Sequence, residues 1–292
     1  MKHPSIASVI SFCSLDERFL PHAIEAVRPF SDQIIIALCD HRFDGTPENN
    51  QRYFDVVTGC TLVQYTYTPN RLYGTDSFIH PNTLHYRHHW HNTSRLVGHY
   101  FVDPQVEWVL FLDADEIIDT ERFTEMAWEK DAYRLASYWY FREPSLQALT
   151  WHDSALLVRQ KYVKPDILLH PKERSGMAKM LNAHTMALGS DQKPLVHHYS
   201  WVRTKAEMLK KASCWGHGPE DNWETLIEVE MAQPFSGTDF IYGYDYQTVT
   251  PFINPFEDKL WPAGQASIVH HVTPEYIYNL EVQRCFLTPT LT

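Results

Sequence analysis

The sequence has few cysteines and no pattern that would join them. Its 292 residues include five, Cys13, Cys39, Cys60, Cys214 and Cys285, which lie far apart and form no CxxC pair. The odd number and wide spacing argue against both a disulfide framework and a zinc knuckle. We therefore expect a reducing compartment, and with it a cytoplasmic location.

Long apolar runs and an excess of positive charge are also missing. The run that ends at Phe12 is short and suits a buried strand, and no later run could cross a bilayer, so neither a signal peptide nor a transmembrane segment is predicted. The formal net charge is -11, which provides no basic field for polymeric nucleic acid. A small phosphorylated ligand is still compatible with this charge, because a bound cation reverses the local potential.

Several nucleotide-binding and nucleophile motifs are absent from the chain. There is no GxSxG, no P-loop and no GxGxxG. A serine hydrolase, a P-loop nucleotidase and a dinucleotide-binding protein can therefore be set aside.

Strands and helices alternate over the first 120 residues. An apolar, β-branched run over 6–13 is followed by Ser14 and Glu17 at capping-box spacing, a helical pattern up to Pro29 and a buried strand over 33–38. Further strands are predicted over 61–67 and 107–112, with a helix over 85–101 between them. This βαβ order predicts a parallel sheet.

The later part of the chain has weaker signals. Strands are predicted over 134–141 and 154–159, and a capping box at Thr204 and Glu207 opens a helix that runs to about Cys214. Beyond Gly216 the periodicity is weak, and we expect ordered loops.

Acidic residues follow three of the predicted strands. Asp113, Asp115 and Glu116 end the strand over 107–112, where carboxylates can hold a hard cation, and a spacing of two puts the two aspartates on one side of the backbone. The alternative is a solvated acidic turn before the helix. Asp40 follows the second strand, where it could bind a nucleobase or ribose, and Ser14 and Asp16 follow the first; all should meet at one sheet edge.

Two adjacent histidines form another candidate. His197 and His198 follow an apolar pair, and one imidazole could complete a metal shell while Lys211 neutralises a diphosphate. The alternative is a pair of hydrogen-bonded core histidines. Trp215 and Trp223 could be core or sugar-stacking residues.

The strand-helix-strand opening, the Asp44-Gly45-Thr46 turn and the DxD strand end resemble the GT-A fold glycosyltransferases, most closely family 2, over about residues 5 to 120. The resemblance implies an α/β fold with a mostly parallel central sheet flanked by helices. It implies one domain over 1–292, with a nucleotide-sugar-binding half over 1–119 and an acceptor-binding half and loop-rich C-terminal segment over 120–292. The implied reaction is Mn²⁺- or Mg²⁺-dependent transfer, with inversion, of a sugar from a UDP- or GDP-linked donor to a hydroxyl acceptor such as a glycan.

The resemblance also implies roles for individual residues. Asp40 would bind the nucleobase, Asp115 would ligate the metal, and Asp113 would contact the ribose or reach the metal through water. Asn92 and Arg95 match loosely a helical pair near the nucleotide.

A general base would come from the half after the DxD, which leaves four acids by position: Glu143, Asp153, Asp166 and Glu173. We favour Glu143, because it follows the aromatic run over 138–141 and precedes Pro144 in a turn.

Two other functions are kept as alternatives. A haloacid-dehalogenase-like phosphatase also uses an apolar strand that ends in DxD, although here the motif comes late and Ile117 stands where those enzymes usually have Thr or Val. A non-catalytic sugar-binding relative would keep the fold without turnover.

Overall fold

A twelve-stranded mixed sheet organises the part of the chain that the structure describes. The structure is a computed structural model that describes residues 4–68, 84–216, 221–257, 261–277 and 279. The strands are β1 (Ile6–Phe12), β2 (Gln33–Cys39), β3 (Thr61–Tyr65), β4 (Trp108–Asp113), β5 (Glu116–Ile118), β6 (Ala132–Phe141), β7 (Glu143–Ala148), β8 (His152–Arg159), β9 (Met186–Ala187), β10 (Val196–Trp201), β11 (Tyr246–Thr248) and β12 (Ile268–Val272). The helices are α1 (Leu20–Val27), α2 (Gln51–Val56), α3 (Leu84–His99), α4 (Thr120–Thr124), α5 (Pro165–Leu168), α6 (Glu173–Met180), α7 (Lys205–Cys214) and α8 (Trp223–Met231).

The strand order is β11-β7-β6-β8-β4-β1-β2-β3-β12. From β4 to β12 every neighbouring pair is parallel, whereas β8 runs antiparallel to both β4 and β6. Strand β10 continues the sheet beside β6, to which it is parallel, and pairs antiparallel with β5. The predicted α/β fold with a mostly parallel central sheet flanked by helices is confirmed.

Alternation along β1 separates two cores. Ile6 and Ile10 pack with α1 on one face of the sheet, and Ala7 and Val9 pack with α3 on the other. Successive side chains of a strand point to opposite faces, so a strand covered by helices on both sides is apolar at most of its positions. This is why β2 and β4 appear in the sequence as nearly continuous apolar runs.

The two predicted capping boxes have different outcomes. The Thr204 side chain accepts a hydrogen bond from the Glu207 backbone N–H, and the Glu207 carboxylate accepts one from the Thr204 N–H, so the box that opens α7 is confirmed. The box at Ser14 is wrong: both the hydroxyl and the backbone N–H of Ser14 donate to the carboxylate of Glu48, and residues 14–16 form a short 3-10 turn. A carboxylate distant in sequence has replaced the local cap.

The segment after Gly216 is more regular than predicted. Helix α8 begins after Asn222, whose side chain accepts from the Thr225 N–H, and β12 adds a parallel strand beside β3. Among the described residues Cys13, Cys39, Cys60 and Cys214 are free thiols, and Cys285 lies outside the described residues. Within the described ranges, none of the helices has the length and apolarity needed to cross a membrane.

We expect Gly98→Ala to destabilise the protein. A Cβ at position 98 of α3 would overlap Cγ1 of Val9 in β1, and an overpacked core site typically costs ~1–3 kcal/mol of unfolding free energy. Urea denaturation would measure this loss. The double variant Val9→Ala, Gly98→Ala should lose less than the sum of the single variants, because the methyl that clashes is gone; strict additivity would show that the helix does not approach the sheet at this point.

Candidate functional site

A cavity of about 640 Å³ opens where β1 and β4 end. Ligands of open α/β sheets bind beyond the carboxyl ends of parallel strands, and this volume suits a small-molecule ligand. The sequence-predicted residues that line it are Asp16, Asp113, Asp115, Asp153, Glu173, His198, Lys211 and Trp215.

Asp113, the last residue of β4, is held by three basic groups. Its Oδ1 accepts from an Arg95 guanidinium nitrogen at 2.9 Å and from His91 Nε2 at 3.1 Å, and its Oδ2 accepts from Arg174 at 2.9 Å. Burial opposes ionisation, but Arg174, His91 and Arg95 together hold the pKa of Asp113 well below its usual range. Both oxygens of this carboxylate are therefore occupied by protein cations.

His91 bridges two carboxylates. Its Nε2 faces Asp113, and its Nδ1 lies 3.0 Å from Oε1 of Glu173. Against the effect of burial and of Arg95, these two acids raise the pKa of His91 to about 9, so the imidazole is charged at neutral pH.

Asp115 lies in the turn between β4 and β5. Its Oδ2 accepts a 2.9 Å hydrogen bond from Lys211 Nζ and lies 3.5 Å from Arg203, while its Oδ1 is 3.4 Å from His198 Nε2. Burial would raise its pKa, but Lys211, His198 and Arg203 hold it far below the usual range. Asp115 is thus ionised, with one oxygen turned toward His198.

Glu116 contacts the groups around Asp113 and also lies beside His198. It is fully buried, and its Oε2 accepts from Arg174 at 2.6 Å and from the Asp113 backbone N–H at 2.9 Å. Its Oε1 lies 3.8 Å from His198 Nδ1, and neither atom has a hydrogen-bond partner among the described residues. The imidazole of His198 consequently sits between the carboxylates of Glu116 and Asp115.

The two adjacent histidines face opposite sides of β10. His197 Nδ1 hydrogen-bonds the Tyr140 hydroxyl at 2.7 Å, its ring stacks on Phe252 at 3.8 Å, and it does not line the cavity. Since strand neighbours alternate, only His198 can reach Asp115. The sequence left this choice open, and the register of β10 decides it.

His198 and Asp115 fit half of a metal site. Asp115 and His198 would hold a divalent cation through an oxygen and a nitrogen ligand, and Glu116, on the other side of the imidazole, would support it. No cluster of three or more His, Cys, Asp or Glu side chains suited to a metal occurs in the part of the chain that the structure describes. The remaining ligands would come from a bound molecule and water.

Glu173 fixes the start of α6 against α3. Its Oε1 lies 2.8 Å from His88 Nδ1 and 3.0 Å from His91 Nδ1, and its backbone has a φ of 47°, which a non-glycine residue rarely adopts. Despite burial, His91 and His88 hold the pKa of Glu173 well below its usual range. Its partners are thus histidines that lie 85 and 82 residues away in the chain.

Asn92 and Arg95 lie behind the residues that line the cavity. Asn92 donates to the His170 carbonyl at 2.9 Å and accepts from Arg95 at 3.0 Å, and Arg95 is fully buried with its charge on Asp113. Neither side chain lines the cavity. Their contacts orient Asp113, so a direct contact with a nucleotide finds no support in their positions.

The predicted residues after β1 and β2 also differ in whether they line the cavity. Asp16 lines the cavity and is paired with Arg203, whereas Ser14 lines a neighbouring groove. Asp40 accepts from the Tyr67 backbone N–H at 2.7 Å and contacts His41, outside the cavity lining. The predicted nucleobase role of Asp40 stays a prediction.

Of the predicted bases, only two reach the cavity. Asp153 and Glu173 line it, whereas Glu143 is exposed at the start of β7 and Asp166 is exposed in α5. The β6–β7 turn, in which Arg142 has a φ of 59°, carries Glu143 away from the cavity.

Several lining residues were missed by sequence reasoning. They are Arg174, His152 and Tyr242. Their signal was weak, because each lies far along the chain from the residues it meets, and the histidines are numerous in this sequence.

Comparison with known proteins yields only distant structural likeness. No family model and no curated protein matches the chain. Glucosyl-3-phosphoglycerate synthase from Mycobacterium tuberculosis, solved with Mn²⁺, uridine diphosphate and phosphoglyceric acid, is 12% identical over 85% of this chain and 87% of that chain, with a TM-score of 0.36. The catalytic domain of Drosophila β1,4-galactosyltransferase 7 with xylobiose is 12% identical over 70% and 72%, with a TM-score of 0.33.

A nucleotidyltransferase matches similarly. The inositol-1-phosphate CTP transferase from T. maritima is 8% identical over 71% of this chain and 95% of that chain, with a TM-score of 0.41. Glycosyltransferases, the class that the sequence resembles, are thus among the matches. TM-scores below 0.5 cannot separate sugar transfer from nucleotidyl transfer, so the choice between them lies with the residues of this chain.

We expect Arg174→Met to lower the unfolding free energy at pH 7 by ~3–5 kcal/mol, because it leaves the buried carboxylate of Glu116 and the half-buried carboxylate of Asp113 without this partner. Asp113 has a folded pKa below its unfolded value, so the stability it contributes is complete above about pH 4 and is lost as pH falls below that. The deficit of the variant should therefore shrink on acidification. Urea titrations at several pH values would measure both effects.

The matched control is Lys205→Met, which removes an exposed ion pair with Glu228 and should cost less than ~1 kcal/mol. An Arg174 deficit no larger than this, or one independent of pH, would contradict the network described.

Proposed function

We propose that this protein is a metal-dependent glycosyltransferase of the GT-A type, which moves a sugar from a UDP- or GDP-linked donor to a hydroxyl acceptor with inversion. The observation that carries the proposal is the pairing of Asp115 Oδ1 with His198 Nε2 at 3.4 Å, on the wall of a cavity at the carboxyl ends of parallel strands. Residues 1–119 would bind the donor, and residues 120–292 the acceptor.

The residues of the site suit a diphosphate leaving group. When bound, a divalent cation would stabilise the negative charge that develops on the diphosphate. Lys211 keeps one oxygen of Asp115 occupied, so the other is directed toward His198, and Glu116 can hold the tautomer in which His198 presents an unprotonated Nε2. Asp113, already bound by three basic groups, would shape the wall rather than ligate the cation.

The ion-paired charges around the end of β4 are balanced before any ligand enters. Five carboxylates face five cationic side chains, namely Asp16, Asp113, Asp115, Glu116 and Glu173 against His91, Arg95, Arg174, Arg203 and Lys211. A dication and a dianionic diphosphate that enter together keep this balance, whereas either alone leaves an uncompensated charge in a buried site. We therefore expect metal and nucleotide to strengthen each other's binding.

Asp153 is the better candidate for the general base. It lines the cavity, its side chain is 32% exposed, and it forms an ion pair with Arg134 at 3.2 Å. Glu173 is instead held by two histidines that keep its pKa low, which makes it a poor proton acceptor. Glu143, which the sequence favoured, does not line the cavity.

The proposal is tested by calorimetry of a nucleotide-sugar panel with and without Mn²⁺, together with metal-dependent release of nucleoside diphosphate. We expect one donor to bind only with metal, and His198→Gln to abolish that metal-dependent binding. His197→Gln is the matched control, since His197 is adjacent in sequence but lies on the other face of β10.

Other outcomes point to the other functions. Release of phosphate from simple monoesters would favour a phosphatase, and nucleotide-sugar binding without any turnover would favour a non-catalytic relative. Equal loss in the two histidine variants would remove His198 as a metal ligand.

For the base, we expect Asp153→Asn to lower the transfer rate by about two to four orders of magnitude, the usual contribution of a positioned base, with nucleotide and metal affinity retained. Glu143→Gln provides the control and should retain transfer. A normal rate for Asp153→Asn would eliminate this residue, and a loss in Glu143→Gln would restore the sequence-based choice.

A further inference from the structure

Aromatic rings cover the side of the cavity that lies beyond His198. Trp139 of β6 meets the His198 ring edge-on, with centroids 4.8 Å apart, and contacts the His152 ring at 5.0 Å. The Tyr242 ring lies 5.1 Å from His152 and 5.3 Å from Trp139. All four side chains line the cavity, so the aromatic group adjoins the proposed metal ligand directly.

Tyr242 is held over this group by a tightly organised turn. The buried Oδ1 of Asp239 accepts from the backbone N–H groups of Ile241, Tyr242 and Gly243, at 2.7, 2.6 and 3.3 Å, and its Oδ2 accepts from the Tyr246 hydroxyl. Gly243 has a φ of 68°, in the left-handed region that glycine adopts readily.

The same turn is anchored on its inner side. Phe240 packs against Trp201 and Phe141, so the turn is fixed to the core. Tyr242 nevertheless remains 50% exposed. A large aromatic side chain that is both exposed and held in one place on a cavity wall is pre-organised to bind a ligand.

Polar groups stand beside the rings. His152 Nδ1 lies 3.4 Å from the Tyr244 hydroxyl, and the Asp153 carboxylate lines the cavity next to it. A sugar ring presents an apolar C–H face and a rim of hydroxyls. Aromatic faces with adjacent hydrogen-bonding groups suit that combination better than they suit a purely apolar or a charged ligand.

Strand order separates this group from the predicted nucleobase site. Strands β6 and β8 carry Trp139 and His152 on one side of β4, and β2, which precedes Asp40, lies on the other side. A nucleotide that extended from β4 toward β2 would leave the aromatic group free. We infer that Trp139, His152 and Tyr242 form the binding site for the acceptor, a hydroxyl-bearing glycoside whose ring stacks on Tyr242; its assignment as the acceptor rests on the proposed function.

The test uses the full chain, saturation-transfer NMR with a panel of methyl glycosides, and calorimetry with UDP and Mn²⁺. We expect Tyr242→Ala to weaken glycoside binding about five- to tenfold, as loss of one aromatic contact predicts, and Tyr242→Phe to retain it. Affinity for UDP should not change. Tyr162→Ala is the matched control, because Tyr162 is also exposed but lies outside the cavity lining.

Three results would overturn the inference. The first is no glycoside binding by the wild-type protein, and the second is equal glycoside affinity in Tyr242→Ala and Tyr162→Ala. The third is a loss of UDP affinity in Tyr242→Ala as large as the loss for glycosides, which would mean that a nucleobase stacks on Tyr242. Glycosides that bind in a Tyr242-dependent way to a protein that binds no nucleotide would support the stacking site and refute the proposed transferase.

Discussion

The ion pairing of buried acids at the end of β4 is the constraint on which the cavity depends. Asp113, Asp115 and Glu116 have little contact with water, and the cations that neutralise Asp113 and Asp115 come from α3, α6 and α7. An uncompensated buried charge is costly, so these helices cannot leave the strand end without a large loss of stability. Besides being candidate metal ligands, these acids therefore join segments that are about 20 to 100 residues apart in the chain into one wall of the cavity.

The register of β10 has an equally direct consequence for function. His198 pairs with Glu116 of β5 on one side and with Trp139 of β6 on the other, which brings the proposed metal ligand, its supporting carboxylate and the first aromatic ring together. A register shift of one residue would point His197, instead of His198, into the cavity. The face of β10 that now packs against Phe252 would then also face the cavity. Two β-strand pairings thus determine which of two chemically identical neighbours can act.

Sequence reasoning succeeded where the information is local. Apolar runs predict strands, and acids at their ends predict the sheet edge, so Asp113, Asp115 and Asp16 were placed in the cavity from their positions alone. It failed where a distant partner competes with a local one: Glu48 takes the hydrogen bonds that Ser14 was expected to give to a helix cap. Arg174 and Tyr242 could not have been predicted, because their roles depend on contacts formed only when the sheet is complete.

The two sides of the cavity differ in chemistry. The side formed after β1 and β4 is charged, with each carboxylate paired, whereas the side formed by β6 and β8 is aromatic and includes His152, whose pKa burial and the nearby His198 lower to about 4. A neutral imidazole among aromatic rings can form hydrogen bonds with hydroxyl groups but does not attract an anion. In the proposed reaction this division would draw the diphosphate to one side and the sugar acceptor to the other. The bond to be broken would then lie at their boundary, beside His198.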